Sequence, residues 1–453
     1  MTSIYPPVVV AKFGGTSVAD FDAMRRSADI VLADNQVRLV VLSASAGVTN
    51  LLVELARGME ARYRDDHLET LRAIQYQIVD RLKQPDGIRA QVDSLIDNIA
   101  RLAREAALQP TAMLTDELVS HGELLSTLIF TAIVHERGVE TRWFDVRTVL
   151  RTTSHFGQAQ PVVDEIARLA RCHLGPCLEN GLVVTQGFIG RDEHGHTTTL
   201  GRGGSDYTAA LLGEALSAGR VDIWTDVAGI YTTDPRIVPA ARPIATLSFA
   251  EASEMATFGA KVLHPATLLP AVRRDIPVFV GSSKQPAGGG TTVCRQSDSL
   301  PLYRALAVRR NQTLLRLYNP DMLHACGFLA DIFALLASHN ITVDLVTTSE
   351  VSIALTLDNT GATSGNAEIL SPALLDALNA RCRVEIENDL ALVTLIGNRL
   401  SRENGVCNAV FSRLERDNIR LICYGASDHN LCFLMPGASA DDAIRKLHRH
   451  LFE

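Results

Sequence analysis

Lysine, arginine, glycine and hydroxyl residues cluster in this chain in combinations that suit anions. Lys12-Phe13-Gly14-Gly15-Thr16-Ser17 closes the apolar run Val8 to Ala11. A lysine at the end of a core strand carries a desolvation cost unless an anion compensates it. Glycines after it let a backbone approach a ligand closely, and consecutive N–H groups in such a turn can cradle oxyanions. The segment is not a P-loop, which places GK[ST] after its glycines, and neither GKS nor GKT occurs in the chain. Alone it reads equally well as a plain strand-to-helix turn. Gly201-Arg202-Gly203-Gly204-Ser205-Asp206 says more. Ser205 or Asp206 can cap the helix that the spacing predicts next. Nothing in that helix needs Arg202, and an arginine between glycines suits bidentate recognition of carboxylate or phosphate.

Three further stretches add to these. VDIWTDVAGIYTTDPR (221–236) ends a strand at Thr225 and Asp226 and continues into a loop with Tyr231 and Arg236. It reads either as a proline-fixed polar loop or as a nucleotide site, with an aromatic and hydroxyl surface for a base and an arginine for phosphates. Lys261 stands in the apolar helical setting ATFGAKVLHPATL (256–268), where a solvated lysine is the ordinary alternative; His264-Pro265 reads as a helix end. In TDELVSHGELLSTLIF (115–130), Asp116, Ser120, Glu123 and Thr127 share one helical face. Glu123 is the only acidic residue beside the apolar stretch Leu124 to Val134. Ser43 to Thr49 offers hydroxyls and unhindered N–H groups to a small polar substrate. Two lysines, two arginines, glycine turns and hydroxyls, with no metal-ligand cluster, no Ser-His-Asp set and no HRD or DFG motif, suit phosphoryl transfer. That reaction needs in-line positioning and charge neutralisation, with little covalent help from protein. The anion for Lys12 is then nucleotide phosphate, supplied as ATP with Mg²⁺.

The elements that must position these residues alternate. Strands are predicted at 8–13, 38–45, 142–146, 181–190, 221–226 and 276–282, and helices at 20–34, along 50–108, and at 115–137, 161–174, 206–217 and 249–257. The alternation implies an α/β fold: an open, mainly parallel sheet sandwiched by helices, with ligands beyond the carboxyl ends of the strands. QPAGGGTT (285–292) is a turn-rich break, and a domain boundary is expected near 298. Beyond it, residues 327–357 lie over 405–435 at a constant offset of 78: Gly327 meets Gly405, Asn340-Ile341 meets Asn418-Ile419, and Ser349-Glu350 meets Ser427-Asp428. Each copy has the βαββαβ order of a ferredoxin-like unit.

Composition narrows the partners. A net charge of −8 without a basic block argues against nucleic acid and anionic lipid. MTSIYPPVVV has no basic stretch before an apolar core and does not read as a signal peptide. No apolar run approaches the roughly 18 residues expected of a membrane span. The eight cysteines are scattered and form no zinc pattern, so free thiols in a reducing cytoplasm are expected.

KFGGTSVAD, LSASAGVTN, LTDELVSHGE, TLGRGGSDYTAA, WTDVAGIYTTDPR and MATFGAKVLHPAT closely resemble the aspartate kinases of the amino-acid kinase superfamily, over the whole length and including two C-terminal ACT modules. TVDLVTTSEVSIALTLD and NLCFL look most like the monofunctional, lysine-sensitive type. The resemblance implies transfer of phosphate from ATP to L-aspartate, giving 4-phospho-L-aspartate, at the entry to lysine, threonine, methionine and diaminopimelate synthesis. It implies that Lys12 and Lys261 stabilise the transferred group, with Asp206 holding the catalytic lysine and Gly14 and Gly15 supplying backbone donors. Arg202 would take a substrate carboxylate and Glu123 the α-ammonium, with Ser43, Thr49 and Ser205 orienting the substrate. Thr225, Asp226, Tyr231, Arg236 and Val262 would join the nucleotide site. Inhibitory L-lysine would lie between first ACT modules of two subunits, at Met322, Phe328, Leu329, Thr342, Val343, Asp344, Ser349, Glu350 and Val351, in a homodimer or dimer of dimers. In the repeat, Asp344 faces Ile422, so the first copy carries two acidic residues suited to a diamino acid and the second keeps only Asp428. The expected domains are 1–298 for the kinase, 299–385 for the first ACT module and 386–453 for the second, with the strand at 305–312 contributed to the latter. Two other readings stand beside this one. A glutamate 5-kinase lacks the paired repeat, and an amino-acid sensor with a degenerate kinase half would not be expected to keep Lys12, Arg202, Asp206 and Lys261 together.

Overall fold

The computed structural model describes residues 8–179, 181–259, 263, 265–297, 299–324, 327–358 and 370–453. In chain order the first elements are β1 (Val9–Phe13), α1 (Phe21–Ala33), β2 (Val37–Leu42), α2 (Val48–Ala56), α3 (Ala61–Val79), α4 (Asp86–Leu108), α5 (Ala112–His135), β3 (Thr141–Phe144), α6 (Val163–Leu169), α7 (Gly175–Glu179) and β4 (Leu182–Gln186). Next are β5 (Ile189–Arg191), β6 (Thr197–Thr199), α8 (Gly204–Leu216), β7 (Arg220–Thr225), β8 (Thr246–Ser248), α9 (Phe249–Thr257), α10 (Pro265–Arg274), β9 (Val278–Ser282) and β10 (Gly290–Cys294). The C-terminal part adds β11 (Tyr303–Tyr318), α11 (Phe328–Ser338), β12 (Leu345–Thr348), β13 (Ser352–Asp358), α12 (Pro372–Asn379), β14 (Arg383–Gly397), α13 (Val406–Phe411), β15 (Leu421–Tyr424), β16 (Asn430–Pro436) and α14 (Ala440–Phe452).

Eight strands form one sheet in the order β3-β4-β2-β1-β7-β9-β10-β8. Its pairings are parallel except for β10 against β9. The apolar run before Lys12 is explained by this order, because β1 lies between β2 and β7 and is buried along its whole length. The expected strand at 181–190 is two strands. The chain turns between them at Gly187 and Phe188, where Phe188 takes φ +69°. A Cβ on Gly187 would stand 2.5 Å from that of Ser205, so only glycine lets the turn approach the start of α8. The helical stretch expected over 50–108 is three helices, broken at Gly58 (φ +78°) and before Asp86. α5 is long and apolar enough to cross a membrane, yet its apolar residues belong to the core of this layer. Among the described residues every cysteine is a free thiol.

The chain divides into two compact units. The first takes the described residues of 1–230, 243–249 and 261–298, and the second takes those of 231–242, 250–260 and 299–453. Two segments inside the expected kinase span of 1–298 thus pack with the second unit. The physical reason lies in their side chains. Ile237 and Val238 enter a core with Leu306, Val393, Phe433 and Leu447. Fully buried Glu251 meets Arg304 Nε at 2.6 Å and Asn398 Nδ2 at 2.7 Å.

The second unit holds a six-stranded sheet, β12-β13-β11-β14-β16-β15, antiparallel throughout. β11 and β14 run through both modules. The amino-terminal half of β11, with Leu306 and Val308, packs with the second module. Its carboxyl half, with Leu315 and Leu317, packs with Ile332, Leu336, Ile353 and Leu374 of the first. The β11–β14 register shifts between Arg309 and Leu314, where Asn311 and Asp389 take positive φ. The internal repeat has a backbone signature as well: Gly327 and Gly405 both cap their helices at positive φ, 98° and 83°.

Candidate active site

At the carboxyl ends of β1 and β2 a cavity of about 290 Å³ is lined by Lys12, Ser43, Thr49, Glu123, Phe188 and the run Gly201 to Asp206. Five separate chain segments supply these residues. Lys12, 7% exposed, ends on Asp206, with Nζ 2.5 Å from Oδ1. A Cβ on Gly14 would lie 3.6 Å from that Nζ and 3.8 Å from the Trp224 carbonyl, so the lysine tip folds back over a bare glycine. The Gly14 N–H donates to the Trp224 carbonyl at 3.1 Å. This corrects the expectation that both glycines offer donors to a ligand: Gly14 is a spacer. Gly15 is one too in part, since a Cβ there would meet the Ala44 carbonyl at 2.8 Å, and its own carbonyl accepts from Ala46 at 3.1 Å. Its bareness lets the loop after β1 lie against the loop that carries Ser43 and leads to Thr49 in the first turn of α2.

Glu123 sits inside α5 with its Oε1 accepting the Ala44 N–H at 3.1 Å, while its buried Oε2 has no partner. Burial pushes its carboxyl up to about 8, and backbone N–H groups, that of Ala44 foremost, only partly oppose this. Arg202 is exposed, and among the described residues no carboxylate pairs with it. It is presented by a loop with Gly201 and Gly203 at φ +75° and +73°, which leads into the first turn of α8. An unsatisfied acid and an unpaired guanidinium thus face one cavity, an arrangement complementary to a small molecule that is cationic at one end and anionic at the other. The Lys12–Asp206 pair and the amino end of α8 add a place for further negative charge.

Lys261 and Val262 fall outside the described residues. Thr225 and Asp226 end β7 and bond to each other, Oγ1 to Oδ1 at 3.2 Å, and they do not line the cavity. Tyr231 and Arg236 belong to the second unit. Arg236 forks onto Asp234, Nε to Oδ1 at 3.0 Å and Nη2 to Oδ2 at 2.6 Å, and this guanidinium holds the Asp234 carboxyl below its ordinary range. The expected effector residues gather around the start of α11 and the β12–β13 hairpin. Met322, Phe328 and Val343 pack on the first module's core, while Leu329, Thr342, Ser349 and Glu350 are exposed. Asp344 pairs with Arg309 at 3.1 Å, Ser349 Oγ shares a hydrogen with Ser352 Oγ at 2.6 Å, and the Val351 carbonyl accepts from Asn319. Sequence reasoning missed Phe188. A glycine–aromatic pair inside a strand-like run, Gly187-Phe188, was the available signal of a backbone break.

A family model described as the amino acid kinase family matches residues 7–282, and an ACT domain model matches 393–451. The lysine-sensitive aspartokinase 3 of Escherichia coli is 64% identical over 98% of this chain and 99% of its own. The crystal structure of E. coli aspartokinase III in complex with aspartate and ADP superposes with a TM-score of 0.92, covering 98% of this chain and all of that one. The same protein in complex with lysine and aspartate gives 0.84 at 63% identity, with the same coverage.

Proposed function

The chain belongs to the amino acid kinase family, in its aspartokinase branch, and we propose that it uses ATP to phosphorylate the β-carboxylate of L-aspartate, yielding ADP and 4-phospho-L-aspartate under feedback by L-lysine. The observation that carries this reading is the pairing of the partnerless Oε2 of Glu123 with the unpaired Arg202 across one cavity. An aspartate would place its α-ammonium on Glu123 and a carboxylate on Arg202, with Ser43, Thr49 and Ser205 orienting it. A β-carboxylate oxygen then attacks the γ-phosphorus, the bond to the β–γ bridging oxygen breaks, and its electron pair leaves with ADP. The carboxylate is already ionised at neutral pH, so no general base is needed. Lys12, steadied by Asp206, stabilises charge on the moving phosphoryl group. Lys261 and Val262, with Thr225, Asp226, Tyr231 and Arg236, remain the residues assigned to nucleotide on the family resemblance.

Among the described residues no group of three His, Cys, Asp or Glu side chains is placed to hold a metal ion. Magnesium would be carried on ATP's own phosphate oxygens, where it would shield their charge. ADP production with aspartate against glutamate, with and without millimolar lysine, tests the reading. Absence of turnover with aspartate would favour a sensor, and preference for glutamate would favour the other carboxylate kinase.

Lysine would bind at the first ACT module, between two subunits of a homodimer or dimer of dimers, with Asp344 and Glu350 taking its ammonium groups. Asp344→Ala is expected to raise the half-inhibitory lysine concentration roughly tenfold or more while leaving kcat within about twofold, since one charged contact is lost. Inhibition unchanged in Asp344→Ala and in Glu350→Ala would place the effector elsewhere.

A further inference from the structure

Asp116 is 2% exposed and accepts three hydrogen bonds: from Gly157 N–H at 2.9 Å and Thr199 N–H at 2.8 Å on Oδ2, and from Thr199 Oγ at 2.9 Å on Oδ1. None of these donors is cationic. Burial is the larger influence on its carboxyl and raises it despite the three bonds. A buried acid without a counter-ion is an expensive way to tie two loops together if tying were all it did.

Its position suggests more. Asp116 and Glu123 stand two turns apart on one face of α5, so the helix holds them at a fixed separation. Thr199, chelated by Asp116 through both its N–H and its hydroxyl, lies three residues before Arg202. The intervening Gly201 is crowded against the other partner's loop, since a Cβ there would meet the Gly157 carbonyl at 3.1 Å. Both of Asp116's partners therefore brace the loop that presents Arg202, and the acid itself rides on the helix that presents Glu123.

We propose that Asp116 is a positioning residue that sets the span between Glu123 and Arg202, and thereby makes the cavity select a four-carbon acidic amino acid over one a methylene longer. The inference rests on aspartate occupying this cavity. Discrimination by one methylene is worth roughly 10- to 200-fold in kcat/KM, and a span loosened by a fraction of a bond length would forfeit part of it.

Steady-state kinetics of the full chain with aspartate and with glutamate tests this. Asp116→Ala is expected to raise the aspartate KM by about tenfold and to narrow the aspartate-to-glutamate ratio of kcat/KM by about as much, with the ATP KM and kcat changed less than about threefold. Asp116→Asn, which can accept both N–H groups and donate to the Thr199 hydroxyl, should recover most of the loss. A purely structural role would instead lower the active fraction, and so kcat, with KM and the ratio preserved; that result would overturn the proposal. Should Asp116→Ala not fold, Thr199→Val decides the matter: a several-fold change in the same two quantities supports the span, and an unchanged aspartate KM and ratio refutes it. If the unsubstituted protein itself fails to turn over aspartate, the functional reading fails first, which is a different outcome from a wild-type enzyme whose variants keep its selectivity.

Discussion

Lys12→Ala is expected to lower kcat by about a thousandfold, or roughly 4 kcal/mol of transition-state stabilisation, while the protein stays folded. The size follows from where the ammonium stands. It is nearly buried at the end of β1, held 2.5 Å from Asp206, and folded over Gly14 at the cavity wall. A charge so desolvated and so confined acts on a migrating phosphoryl group far more strongly than a mobile surface lysine would, and it needs no reorganisation when the reaction occurs. The fold should tolerate the loss because β1 keeps its pairing with β2 and β7 and its apolar residues, and because Asp206 is partly exposed and can regain water. Lys12→Met, which retains most of the side-chain volume, should be as inactive as the alanine variant. Stopped assays for ADP beside thermal unfolding provide the check, and near-normal kcat in either variant would remove Lys12 from the chemistry.

Glu123→Gln should show an opposition between binding and stability. In the unliganded protein this carboxyl is pushed up to about 8 from an ordinary 4.5 by burial. Below pH 4.5 both folded and unfolded chains carry the proton and nothing is lost. As pH rises through the interval between 4.5 and 8, the unfolded chain ionises while the native one holds its proton, so native stability declines, by on the order of 3 kcal/mol at pH 7. Glutamine resembles the protonated acid and removes that penalty. The variant is therefore expected to unfold at higher denaturant concentration at pH 7 and to lose most of the gain near pH 4.5. Its aspartate KM should rise by about a hundredfold, because the α-ammonium loses its only anionic partner on α5. The same ionisation governs the parent enzyme. Binding the ammonium needs the charged carboxylate, so the aspartate KM should climb as pH falls below about 8, by about tenfold per unit in the limit. In Glu123→Gln that slope should vanish. A parent KM flat between pH 6 and 8 would mean that the acid is already ionised before substrate arrives.

Much of this site could be read from local pattern. Arg202 stands out because nothing in the following helix needs it, Lys12 because a lysine closing an apolar strand carries a desolvation cost, and Glu123 because an acid beside an apolar stretch is costly. Gly14 shows where such reading stops. Its type suggested a ligand-facing N–H, and only the neighbouring strand β7 reveals that the Trp224 carbonyl already takes it. Phe188 was hidden for a similar reason: its turn needs a glycine at 187 because Ser205, a residue on α8, leaves no room there for a Cβ.

The amino-acid sequence by itself determined the strand–helix alternation, the duplicated ferredoxin-like unit with its paired helix-capping glycines, and the residue types fit for phosphoryl transfer. These are consequences of polarity periods and backbone preferences that act over a few positions. The tertiary structure alone decided which of them meet. The parallel order of β2, β1 and β7 sets Lys12 among its neighbours, and the packing of α5 raises the proton affinity of Glu123 and leaves its Oε2 without a partner. The side chains of Ile237, Val238 and Glu251 pack two segments of the 1–298 span with the second unit. Burial, pairing partners and proton affinity depend on groups tens to hundreds of positions away, and no local window contains them.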